Sequence, residues 1–178
     1  MGTLSPTTPL GALTRGLVAA VAGTLAMDVL LFTRYRRGGG DDAFGAWESS
    51  SGLDRWEDAP APAQVGRRLV AGVIQRDLPA RRARLVNNLT HWGYGAFAGL
   101  PYGVLVGSLR TPRVAYGAPF GAGVWATGYV VLPRLGLYQE IWEYDRVTLA
   151  KDLSAHLVYG ITTAAVFRLL STRRRAER

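Results

Sequence analysis

The chain contains no cysteine. Disulfides, thiol nucleophiles, Cys-bound zinc, iron–sulfur clusters and covalently attached c-type haem are therefore excluded. Lysine is reduced to Lys151, and histidine to His91 and His156. Acidic residues are few: 13 Asp and Glu stand against 21 Lys and Arg, giving a formal net charge of +8. No nucleic-acid recognition motif accompanies that charge, so no nucleic-acid partner is expected. A bilayer with anionic headgroups is the expected partner, because Arg residues flanking apolar segments bind such lipids and fix orientation. There is no nucleophile elbow and no HExxH, so no catalytic residue is nominated and the chain is not expected to be an enzyme.

Charge is also missing from long stretches. Gly16 to Thr33 carries one charge, Asp28. Trp92 to Leu109 and Val114 to Leu132 carry none, and Leu153 to Leu170 is interrupted only by His156 and Arg168. Each block approaches the roughly 20 apolar residues that a helix needs to cross a bilayer. None alternates with the two-residue period of a barrel strand, so the blocks must be helices. A soluble buried core is the competing reading, but a surface helix would show a charged face. A signal peptide is the competing reading of the first block. That block is long for one, its positive charge follows it (Arg34, Arg36, Arg37), and no small-residue cleavage site appears.

These features predict an all-α integral membrane four-helix bundle forming one domain over residues 1–178. Its spans are expected at about 14–34, 88–109, 114–133 and 153–171. Arg110 to Arg113 would close a tight hairpin, and Arg173, Arg174 and Arg175 would follow the last span. A multi-pass membrane protein is expected, with termini on one side, the cytoplasmic one. The long first connection, 35–87, reads as loop over Gly38 to Pro62, with Trp47 and Trp56 as interfacial anchors. An amphipathic interfacial helix is expected near 63–76. There Val65, Leu69, Val70, Val73 and Ile74 share a face, and Pro79 ends it.

Glycines at Gly95, Gly99, Gly103 and Gly107 recur every fourth residue and flatten one face of the second span. Gly117 and Gly121 begin a similar face in the third, and Gly160 with Ala164 in the fourth. Such faces let helices approach backbone to backbone. Internal packing is the expected use, and a homo-oligomer or contact with another membrane protein the alternative. Pro101 and Pro119 are expected to kink or loosen their spans.

Both histidines fall in a repeated pattern. Asn87-xxx-His91-xx-Tyr94-Gly95 opens the second span and Asp152-xxx-His156-xx-Tyr159-Gly160 the fourth. Positions i, i+4, i+7 and i+8 share a helix face, so Asn87 or Asp152 can bond the histidine one turn on. Chain direction in a four-span bundle brings Asp28, His91 and His156 to one level, ~5–8 Å below the interface by helical rise. Tyr94 and Tyr159 lie one turn deeper. The candidate polar cluster is thus Asp28, His91, His156, Tyr94 and Tyr159. Ionisable residues within a span are functional candidates because charge there is costly. The structural alternatives are a hydrogen bond between helices, an Asp28–Arg34 pair, and capping of the last helix by Asp152 and Ser154.

No cofactor is called for by any motif. Haem b on two histidines, or a metal ion, are the alternatives. Three functions follow. The first is assembly or interaction in the membrane. The second is proton or ion handling through Asp28, His91 and His156, and the third is haem or metal binding.

From Leu89 to Arg173 the features fall in a familiar order. Thr90-His91 heads one span, and a glycine-rich hairpin follows. Pro133-x-x-Gly136-Leu137 turns into an acidic, aromatic connection at Trp142-Glu143, and Ser154-x-His156 opens a last span ending in Arg residues. This order resembles the YagU-like family of small bacterial inner-membrane proteins. The resemblance implies a multi-span inner-membrane protein of undefined biochemistry and carries no catalytic residues.

Overall fold

Six α-helices account for most of the chain, which was analysed as a computed structural model describing residues 8–109 and 111–176. The described residues are 77% helical and contain no strand. Helix α1 spans Pro9–Arg37, α2 Phe44–Glu48, α3 Ala61–Ile74, α4 Ala83–Gly107, α5 Gly117–Arg134 and α6 Arg146–Ala176. Arg110 and the side chains of Arg173, Arg174 and Arg175 lie outside the described residues.

Local chemistry sets the ends. Thr8 caps α1, its Oγ1 accepting from Gly11 N at 3.1 Å, and Pro9 follows where a missing N–H costs nothing. Arg34, Arg36 and Arg37 sit in the last turn of α1, where cations suit the dipole. Helix α5 closes in a Schellman turn. Leu137 N donates to Leu132 O at 3.0 Å and Gly136 N to Pro133 O at 2.8 Å, with Gly136 at φ +62°. Asp145 caps α6 by accepting from Val147 N and Thr148 N, so Asp152 and Ser154 lie inside that helix and do not cap it.

Three further expectations need correction. Residues 44–48 are not loop but one helical turn, held by Phe44 and Trp47 against Phe32 and Tyr35. Helix α3 ends at Ile74 because Gln75 adopts a left-handed φ of 55°; Pro79 caps the following 3-10 turn. Trp56 is 6% exposed and donates to Leu78 O at 3.0 Å, so it is a core residue and not a lipid anchor. Helix α4 runs on through Pro101, and Pro119 sits in the first turn of α5, where no intrahelical bond is lost.

The chain divides into two compact units. The described residues of the first fall within 1–27, 95–128 and 145–178. Within it, glycines bring backbones together. A Cβ at Gly99 would meet Gly16 O at 2.3 Å and Ala20 Cβ at 2.4 Å, and one at Gly103 would meet Ala12 O at 2.3 Å. Rising numbers on α1 meet falling numbers on α4, so the pair is antiparallel. Helices α5 and α6 pair likewise, Gly117 against Gly160 and Gly121 against the His156 carbonyl. Ala19, Tyr102, Val106, Ala164 and Phe167 form the core.

The second unit comprises residues 28–94 and 129–144. Trp56, Ala63 and Ala83 form its core, and Gly66 of α3 seats against Val86 and Thr90 of α4. Helix α3 therefore buries its small side. Leu69, Val73 and Ile74 face outward, 59%, 79% and 59% exposed.

On α1 small and polar residues face inward and branched aliphatic ones outward, while aromatic rings fill the core. On α1, Ala12, Ala19, Ala20, Thr24 and Asp28 are buried, whereas Leu17, Val18, Val21, Leu25 and Val29 are exposed. On α6, Ala155, Tyr159 and Thr163 are buried, whereas Ile161 and Leu169 are exposed. Among the described residues, two helices are long and apolar enough to cross a membrane, Pro9–Arg37 and Arg146–Thr172.

Candidate functional site

The second unit holds the principal polar cluster. Asp28, on the penultimate turns of α1, is 2% exposed. Its Oδ1 and Oδ2 lie 3.1 and 3.0 Å from His91 Nε2 on α4. Asp28 thus takes its ion-pair partner from histidine and not from arginine. Glu48, the last residue of α2, completes the group: one ligand atom each from Asp28, Glu48 and His91 lie within 4.8 Å of one another.

Each side chain is delivered by a different piece of structure. Asp28 continues the small and polar stripe of α1 that faces inward. His91 follows Val86 and Thr90, the residues on which Gly66 seats. Glu48 arrives because the aromatic residues of α2 pin that turn to the end of α1. Trp92 then orients it, the indole Nε1 donating to Glu48 Oε1 at 3.0 Å. Arg84 and Asn88 fix the next residue by donating to Ser49 O, both at 2.9 Å.

The electrostatics are unbalanced. Burial and then the Asp28 carboxylate push the Glu48 carboxyl above its ordinary range, with His91 and the Trp92 indole opposing. Glu48 Oε2 is buried and takes no hydrogen bond among the described residues. Its neighbour Asp28 is also an acceptor, and two acceptors bond only with a proton or cation between them. With all three groups ionised the cluster carries one net negative charge, in a place where unpaired charge is costly.

The other candidates have partners elsewhere. His156, in the first unit, directs Nδ1 to Asp152 O at 3.0 Å and Asp152 Oδ1 at 3.4 Å, as the spacing predicts. Asn87, its counterpart in the repeated pattern, donates to Ser50 Oγ at 2.9 Å instead. Tyr159 is 2% exposed and donates to Gly95 O at 2.7 Å. Tyr94 is 52% exposed. Asp28 and His91 are brought together, while His156 and Tyr159 belong to the first unit with their own bonds.

Compared with known protein families, curated proteins and solved structures, the chain gives no match. The site is therefore read from its own chemistry. Sequence reasoning missed Glu48, which lies in a stretch read as loop. Its one signal was position: a carboxylate beside Trp47, a short connection away from Asp28.

Proposed function

We propose that this chain is a four-span inner-membrane protein that holds a cation at Asp28, Glu48 and His91. The observation that carries the function is the donor set gathered there, two carboxylates and one imidazole whose ligand atoms lie within 4.8 Å of one another. A cation bound among them offsets the repulsion between the two carboxylates.

The membrane setting is supported by the inverted distribution of bulk on α1. A helix in water turns Leu and Val inward and polar residues outward. Helix α1 does the reverse, as suits a lipid solvent. Close glycine contacts support it too, since they give van der Waals attraction where lipid removes the hydrophobic driving force. The resemblance of residues 89–173 to the YagU-like family agrees with this setting. Action through assembly, the first sequence-based expectation, retains one specific surface. This is the outward stripe of Leu69, Val73 and Ile74 on α3, suited to lipid or to another membrane protein.

Glu48→Gln in detergent-solubilised protein tests the cation reading. Removing one carboxylate charge relieves repulsion when cations are scarce. The variant should therefore melt above wild type at low ionic strength with chelator. With excess cation the order should reverse, since only wild type gains the ion's binding energy. A difference of about 1 kcal/mol corresponds to a shift of roughly 2–4 °C. If Glu48→Gln melts below wild type by the same amount in both conditions, the cluster is merely structural and the reading fails.

A further inference from the structure

We propose that the cation is a divalent first-row transition metal ion, held by Asp28 and Glu48 carboxylate oxygens and His91 Nε2. This inference rests on the cation-site reading above and adds the identity class of the ion.

Donor chemistry narrows the choice. Mg²⁺ and Ca²⁺ prefer all-oxygen shells, whereas imidazole suits Zn²⁺, Fe²⁺, Co²⁺ and their neighbours. One imidazole with two carboxylates makes three protein ligands, the number that leaves a position open for water or substrate. Geometry agrees. Two ligands bound at about 2.1 Å in a tetrahedral arrangement lie about 3.4 Å apart. Asp28 Oδ2 and His91 Nε2, at the hydrogen-bonding distance of 3.0 Å, need only a slight opening to admit the ion. Glu48 brings the third ligand atom, all three lying within 4.8 Å of one another, so a small side-chain closure completes the set.

The outer shell is also in place. Trp92 Nε1 occupies Glu48 Oε1, which leaves the buried Oε2 as the oxygen for the metal. Hydrogen bonds of this kind orient ligands and sharpen affinity. On binding, His91 Nε2 presents its lone pair to the ion, so a proton held there, or one on the Glu48 carboxyl, leaves to solvent.

The test uses purified full-length protein in detergent, stripped with chelator and then titrated with Co²⁺. Bound metal is measured after gel filtration, and helicity by circular dichroism. Wild type should retain one equivalent of Co²⁺, with visible absorption bands that Zn²⁺ abolishes by competition and Mg²⁺ and Ca²⁺ do not. Asp28→Asn, Glu48→Gln and His91→Gln should each lose the bands while remaining helical. Trp92→Phe, which removes only the orienting donor, should weaken binding about 10–100-fold and alter the band intensities. If Asp28→Asn does not fold, Glu48→Gln and Trp92→Phe still decide the matter. Wild type that retains no Co²⁺ or Zn²⁺, or prefers Ca²⁺ or Mg²⁺, overturns the metal assignment. The cation reading survives that result if Glu48→Gln still stabilises the stripped protein. Glu48→Gln that lowers stability equally in every condition removes both.

Discussion

Gly160→Val is expected to disrupt the pairing of α5 with α6 and to leave little folded protein. A Cβ at position 160 would lie 2.1 Å from Gly117 O, 2.6 Å from Gly121 N and 2.7 Å from Gly121 Cα. All three contacts are backbone, so no side-chain rotation relieves them. The helices must separate, and with them go the contacts of Gly117 and Gly121. Overpacking of a core costs about 1–3 kcal/mol and more where backbone must move. Here the upper end applies, a large share of the roughly 5–15 kcal/mol that holds a domain together. Gly123→Ala is the control, since a Cβ there meets nothing within 4 Å. It should be neutral or slightly stabilising, because Ala favours helix over Gly by about 1 kcal/mol. Thermal unfolding followed by circular dichroism separates the two. Equal melting temperatures for Gly160→Val and wild type would contradict the close packing of these helices.

Tyr159→Ala is expected to be the next most damaging change. The ring is 2% exposed, stacks near Phe120 with centroids 5.6 Å apart, and donates to Gly95 O at 2.7 Å. Removing a buried aromatic ring costs about 3–5 kcal/mol. Tyr159→Phe keeps the ring and loses one hydrogen bond, worth about 0.5–1.5 kcal/mol. The two variants thus divide ring from hydroxyl. If Phe is as harmful as Ala, the hydroxyl matters more than the packing. Neutral Ala would mean that position 159 is not a core position.

What the sequence revealed follows from which signals are local. The apolar blocks stop at charges and mark four of the helices, because chain length and charge placement are read directly. Helices α1 and α6 extend past the expected ends, since a helix continues into a charged stretch without penalty. The glycine spacing on α4 and α5 marked two backbone-contact faces. The α4 face packs on α1, where Ala12, Gly16 and Ala20 repeat every fourth residue, and the α5 face packs on α6. The Asp152–His156 bond was legible because i and i+4 meet on any helix.

Asp28 and His91 were both singled out by the cost of polar groups in apolar blocks. Glu48 could not be, because its one signal, a neighbouring Trp, is shared by Glu57, which is exposed. The burial of Glu48 depends on where α2 docks, and that docking depends on aromatic contacts with Phe32 and Tyr35. Trp56 misled for the same reason. An indole suits a lipid interface or a core equally, and only the Leu78 carbonyl at hydrogen-bonding distance decides.

Placement in lipid is the claim on which the rest stands, and the absence of cysteine makes it accessible to measurement. Single cysteines at Val21 and Leu105, which face outward at 37% and 69% exposure, would be labelled with a fluorophore and compared with one at Gly52 in the first connection. Reconstituted in bilayers containing nitroxide-bearing lipid tails, Val21→Cys and Leu105→Cys should be strongly quenched by the lipid and shielded from aqueous iodide. Gly52→Cys should show the opposite. Iodide quenching at Val21 and Leu105 equal to that at Gly52, with no quenching from the lipid tails, would place the outward face in water and contradict the account.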